Sequence, residues 1–274
     1  MNSLVSTFEE VGLTLQGASV PFGGERNRMV FGLDIQGDKF RAWVPDHVRT
    51  NVSAKDDKMH QVVLTVKEPK AKFELEIWKQ ELRPGDKVLR EWKEGRAFRL
   101  LVERETPSDT RHFLCGVDER NHPFIAQLSR SATSIREAHE LLKPPELRGK
   151  KVKGFGKNSK VKTKESVFRQ GEWFFVKASP AELSMIESFL AKVPSQKKVP
   201  VQPTRGNPHT VDERVSLPVR TGAQGRTFPA SVYVRGKVKH IEHETLEFQT
   251  WMRVLKNEEK GGSVVGSGAG SWID

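Results

Sequence analysis

Three histidines and a pair of acids in the last quarter of the chain are the residues best equipped for chemistry. Asn207-Pro208-His209-Thr210-Val211-Asp212-Glu213 reads as a helix start, with Asn207 as the cap and Pro208 at the first position, which puts His209 and Glu213 four apart on one face. That spacing supplies two metal ligands, or a histidine steered by a carboxylate. His240 and His243 would complete a set of three imidazoles with one or two acids, enough for a divalent Zn, Mn or Fe ion or for acid-base work by Asp212 and Glu213. The pattern does not contain HExxH. In the plainer reading Asp212 and Glu213 serve the dipole of a first helical turn and His243 is a loop residue.

Cations interleaved with aromatics form a second set. The segment SVYVRGKVKHIEHETLEFQTWMRVL alternates as two strands, with Val232, Val234, Val238 and His240 on one face of the first and Leu246, Phe248, Met252 and Val254 on one face of the second. Paired residues must point the same way, so the residue numbers of each pair sum to an even number and the loop is three or five residues. A loop of five is favoured, because Ile241-Glu242-His243 has no Gly for a left-handed position; Lys239 then faces Glu247, and Arg235 meets Trp251 in a cation-π contact. The other face would expose Tyr233, Arg235, Lys237, Lys239, Trp251 and Arg253, the mix of stacking rings and phosphate-binding cations with which sheets hold single strands.

Other candidates are weaker. Cys115, the sole cysteine, lies in RHFLCGVD with Phe113 and Val117 on its own parity, as a small buried hydrophobe would. His112 has the opposite parity, and neither it nor His122 stands at a thiol-enzyme spacing. Gly154-Phe155-Gly156-Lys157-Asn158-Ser159-Lys160 lacks the GxxxxGK[ST] spacing of a phosphate loop, and Arg83-Pro84-Gly85-Asp86-Lys87 is a turn entering a strand.

The elements that must carry these residues are mostly strands. Phe31, Leu33 and Ile35, then Phe40, Ala42 and Val44 alternate about a Gln36-Gly37-Asp38 turn and predict a hairpin. Further strands are expected at Val62 to Val66, Phe73 to Ile77, Phe98 to Val102, His112 to Val117 and Pro123 to Leu128. Ser134 with Glu137 predicts a capped helix ending before Pro144. VFRQGEWFFVKA reads as one doubly covered strand, and Ser179-Pro180 with Glu182 opens a helix that places Leu183, Ile186, Phe189, Leu190 and Val193 at helical spacing. Pro194 to Pro208 reads as a loop.

The fold class is therefore α+β and β-rich, in two domains of mostly antiparallel sheet with one or two short helices each. We place them at 1–143 and 166–257, joined by a basic linker at 144–165 and followed by a Gly/Ser tail at 258–274. The chain has 274 residues, 36% of them hydrophobic, and a net charge of +11. Between Lys143 and Lys164 nine basic residues face one acid, so that segment holds +8 of the +11. Lys150, Lys151, Lys153, Lys157, Lys160, Lys162 and Lys164 could neutralise several phosphates. No apolar run of about 18 residues exists to cross a membrane, and Glu9 and Glu10 fall where a signal peptide needs its apolar segment, so a cytoplasmic setting is expected.

The stretches GVDERNHPFIAQLSRSATSIREAHELLKP and RQGEWFF resemble segments of uncharacterised bacterial proteins. The resemblance implies a bacterial cytoplasmic setting and transfers no catalytic residue. The chain thus reads first as a non-catalytic nucleic-acid-binding protein, with nucleic acid or another polyanion as partner and no cofactor. The alternatives are a metal-dependent hydrolase or nuclease using His209, Glu213, His240 and His243, and a scaffold for an acidic protein partner.

Overall fold

A computed structural model describes residues 2–19, 30–118, 121–152, 167–202, 208–221, 227–241 and 243–258. The chain separates into two compact units, one running to Gly116 and including Ile125–Ala138, the other comprising Val117–Phe124 and the described residues from His139 onward. The tip of one hairpin and the second half of a helix thereby join the later unit. No helix among the described residues is long and apolar enough to cross a membrane.

The first unit begins with α1 (Asn2–Glu10) and continues through β1 (Leu15–Gly17), β2 (Gly32–Gln36), β3 (Lys39–Trp43), β4 (Arg49–Asp56), β5 (Gln61–Glu68), β6 (Ala71–Trp78), β7 (Lys87–Glu94), β8 (Ala97–Thr106), β9 (Asp109–Val117), β10 (Pro123–Leu128) and α2 (Ile135–Leu142). Three sheets result, ordered β1-β3-β2, β10-β9-β5-β4 and β6-β8-β7. The expected hairpin is β2–β3, turning at Gly37 with a φ of 62°. β5 lies between β4 and β9, and its run Gln61 to Val66 is buried throughout, as a strand covered on both faces must be. Cys115 is buried on β9 opposite Val62, and burial pushes its thiol well above the ordinary range, so it is a packing residue. The Glu137 backbone N donates to Ser134 Oγ, but its carboxylate accepts from Thr133 N and Oγ1.

The second unit contains β11 (Val167–Gln170), β12 (Trp173–Lys177), α3 (Pro180–Leu190), β13 (Gln196–Pro200), β14 (Thr210–Leu217), β15 (Arg220–Thr221), β16 (Thr227–Phe228), β17 (Ser231–Lys239) and β18 (Leu246–Lys256). Six strands form one antiparallel sheet, β11-β12-β18-β17-β14-β13, beside the short pair β15–β16. Phe168, Phe175, Val211, Val234, Val238, Phe248 and Met252 fill one face, while α3 covers Val215, Leu217, Tyr233 and Trp251 on the other. Both reciprocal bonds of the α3 capping box form, between Ser179 and Glu182.

Four sequence expectations need correction. VFRQGEWFFVKA is a hairpin, not one strand, because Gly171 adopts a left-handed φ of 55° and turns the chain between β11 and β12. The loop at Pro194 to Pro208 contains the edge strand β13, drawn in by pairing to β14. The helix expected at 207–213 is instead the start of β14; Asn207 lies outside the described residues. Finally, part of the linker is packed: Leu147 is fully buried with Val167 and Phe174, and Lys143 bonds Lys150 O and pairs with Glu140. Lys153, Lys157, Lys160, Lys162 and Lys164 lie outside the described residues.

The hairpin β17–β18 keeps the even-sum pairing that alternation demands, with a register shift. Val234 faces Met252 and Tyr233 faces Arg253 in the outer half, whereas Val238 faces Leu246 near the loop. Six residues, 240–245, therefore connect the strands rather than five, and Lys237, not Lys239, opposes Glu247. The expected cation-π contact is present, with Arg235 Cζ 4.7 Å from the Trp251 ring centroid.

Candidate metal centre

The end of β13–β14 and the β17–β18 loop bring His209, His240 and His243 together. One ring nitrogen from each lies within 4.8 Å of the others. His209 immediately precedes β14, where its carbonyl accepts Val201 N at 2.7 Å and carries the β13–β14 ladder one step further. His240 immediately follows β17, and its ring stacks on that of His209 with centroids 4.2 Å apart and planes at 16°. His243 closes the set, 5.0 Å from the His240 ring and 5.5 Å from that of His209.

Gly171 makes room for this arrangement. A Cβ there would lie 3.0 Å from His243 Nε2 and 3.7 Å from His209 Nε2, so both nitrogens converge on the space that the missing side chain leaves. His209 is 3% exposed and its Nε2 is buried with no hydrogen-bond partner among the described residues. A buried polar atom left without a partner is costly, about 1–3 kcal/mol, unless something occupies the position. The same turn holds two further orphaned oxygens, Gln170 Oε1 and Glu172 Oε2, while the Gln170 amide N donates to Glu244 O.

Burial, and then the neighbouring His240 and His243, push the His209 pKa down to about 3. The ring is therefore neutral at neutral pH and keeps a lone pair on one nitrogen, as a metal ligand requires. A tetrahedral zinc ion with bonds of about 2.0 Å holds its nitrogens roughly 3.3 Å apart. The trio's nitrogens lie within 4.8 Å of one another, so binding would require the stacked His209 and His240 rings to turn toward a shared ion. His240 is the least enclosed of the three and lines a shallow depression with Pro208, Thr210, Lys239 and Ile241. An ion held here would keep an accessible side, in contrast to a closed structural site.

The expected acids do not join the histidines. β14 and β17 carry a bulge at Asp212, where Gly236 and Lys237 oppose one residue; Val211 packs into one core and Val215 into the other. Glu213 is thereby turned away from the His209 face and bonds Arg235 at 2.8 Å and Lys197 at 2.6 Å. Asp212 accepts Lys237 N at 2.9 Å and would clash with any Cβ at Gly236, so its carboxylate shapes the bulge. In place of these acids stands Asp118, whose Oδ2 lies 4.0 Å from His243 Nδ1. It sits in the β9–β10 loop, 91 residues away in sequence from His209, and only the turn composition Asp118-Glu119-Arg120-Asn121 marks it beforehand.

The face expected to bind single strands is also different. Tyr233 and Trp251 are 2% and 5% exposed beneath α3, and Tyr233 Oη donates to Glu182 at 3.0 Å. Burial and the Glu182 charge raise the phenol pKa to about 12. Both rings are core residues, unavailable for stacking, because α3 supplies the cover that alternation alone could not reveal. Arg253 pairs with Glu146, and Arg235 is held between Glu213 and Trp251. Lys150, Lys151, Lys237 and Lys239 are exposed. No protein-family model matches the chain, and no curated protein or solved structure is detectably similar to it, so the bacterial resemblance adds nothing to what the site's own chemistry supports.

Proposed function

We propose that the chain is a metal-dependent hydrolase whose divalent ion is held by His209, His240 and His243. The observation that carries this is the clustering of three imidazoles with a ring nitrogen of each within 4.8 Å of the others, two of them with Nε2 beside Gly171, and His209 Nε2 buried with no hydrogen-bond partner among the described residues. Three imidazoles suit zinc best, with iron or manganese as weaker fits to an all-nitrogen set. When bound, such an ion lowers the pKa of a coordinated water and polarises an acceptor oxygen. The chain's own residues would do the rest: Gly171 leaves the space, His240 borders the depression, and Lys239 at its rim, with Lys237 on the same exposed side of β17, favours an anionic substrate such as a phosphate ester.

The full chain purified without a histidine tag should carry, or take up, one equivalent of zinc or cobalt, and lose it in His209→Ala. Metal-dependent hydrolysis of a nitrophenyl phosphodiester or of single-stranded DNA or RNA should accompany loading. Absence of stoichiometric metal at micromolar concentrations rules the proposal out. Salt-sensitive strand binding without metal or cleavage would favour the binding-protein alternative, which retains the exposed lysines but has lost both stacking rings.

A further inference from the structure

Asp118 carries a carboxylate at ion-pair distance from a histidine of the cluster, and its setting is built. Its backbone N donates to His122 O at 2.9 Å, its carbonyl accepts Asn121 N at 3.0 Å, and its Oδ1 accepts His122 N at 2.9 Å. Asn121 takes a left-handed φ of 64° to close this tight loop. Those bonds hold the carboxylate in place at 12% exposure, with Oδ2 3.6 Å from His122 Nδ1 and 4.0 Å from His243 Nδ1.

His243 is 5% exposed and has its two nitrogens in different settings. Nδ1 faces the Asp118 carboxylate, and Nε2 lies at the Gly171 space where His209 Nε2 also converges. A neutral imidazole has one protonated and one bare nitrogen, and the group opposite Nδ1 decides which is which. A carboxylate there favours the proton on Nδ1 and leaves the Nε2 lone pair toward the shared space. The 4.0 Å separation is longer than a direct hydrogen bond and within Coulombic reach.

We infer that Asp118 is a positioning residue for the metal centre, selecting the His243 tautomer whose Nε2 can bind the ion. This rests on the metal-centre proposal above and adds to it a carboxylate–histidine–metal relay in which Asp118 touches neither ion nor substrate. His122, with a side chain 46% exposed, shares the same carboxylate oxygen from the solvent side.

The test is Asp118→Asn in the full chain. An amide oxygen can still accept the His122 N–H that shapes the loop, while the charge facing His243 is gone. Zinc affinity, read by competition with a chromophoric chelator, should fall about 10- to 100-fold. In the metal-free wild type, long-range proton–nitrogen correlation spectra should show His243 as the Nδ1–H tautomer, shifting toward Nε2–H in the variant. A loss of tenfold or more together with that shift supports the assignment. A smaller loss, or a wild-type His243 protonated on Nε2, overturns it. The wild-type tautomer alone decides if the variant fails to fold. Failure of the wild type to bind zinc would instead strike the metal centre itself, so the two ideas fail separately.

Discussion

The two ends of the β17–β18 hairpin differ in one respect that bears on function. At the α3 end the central polar groups have close partners: Tyr233 bonds Glu182, Glu182 also completes the helix cap, and Arg253 reaches Glu146. At the loop end three histidines crowd together, and a buried ring nitrogen of His209 is left orphaned. Satisfied buried polar groups stabilise a fold and ask for nothing more. An orphan costs stability, and a fold that keeps one beside two similar ligands points to an occupant.

Four experiments would break or sharpen that contrast. Trp251→Ala should lower stability by about 3–5 kcal/mol in urea unfolding, since it empties the α3 core and strips the cation-π partner of Arg235. If folded, it should bind zinc as the wild type does, because it leaves the loop end intact. Zinc at a thousandfold excess over Kd should stabilise the wild type by about 4 kcal/mol, and this increment should vanish in His209→Ala yet persist in Glu213→Gln. A Glu213 dependence would return that acid to the site and contradict the bulge.

His139 supplies a histidine outside the cluster for comparison. Burial, then Arg169 and Lys143, push its pKa down to about 4, against an ordinary value near 6.5. Between these limits the unfolded chain binds more protons, so stability is lost as pH falls from about 6.5 toward 4. The effect is on the order of 3 kcal/mol at most, and His139→Leu should flatten that part of the pH–stability curve. An unchanged curve would show that another group sets the acid limit. The smallest effect is Tyr233→Phe, which removes the bond to Glu182 and should cost about 1 to 1.5 kcal/mol with zinc affinity unchanged.

Much of the fold was legible because it rests on local pattern. Alternation gave the apolar face of β17–β18, Ser179-Pro180 with Glu182 announced α3, and Gly37 marked a hairpin. What alternation could not show was cover. The face carrying Tyr233 and Trp251 has the mixed polarity of a solvated surface, yet α3 lies across part of it. His209, His240 and His243 were recognisable candidates by residue type. Their convergence was not readable, because it depends on pairing between strands distant in sequence.

Residue chemistry and spacing alone thus settled the strand-rich character, the helix cap and which side chains could serve as ligands, since each follows from near neighbours and side-chain periodicity. Long-range packing chose among them. A bulge at Asp212 turned Glu213 to Arg235 and Lys197, a left-handed glycine opened space beside His209, and the β9–β10 loop brought Asp118 to His243. Those choices turn on strand register and loop closure, which depend on contacts across the whole sheet rather than on any one segment.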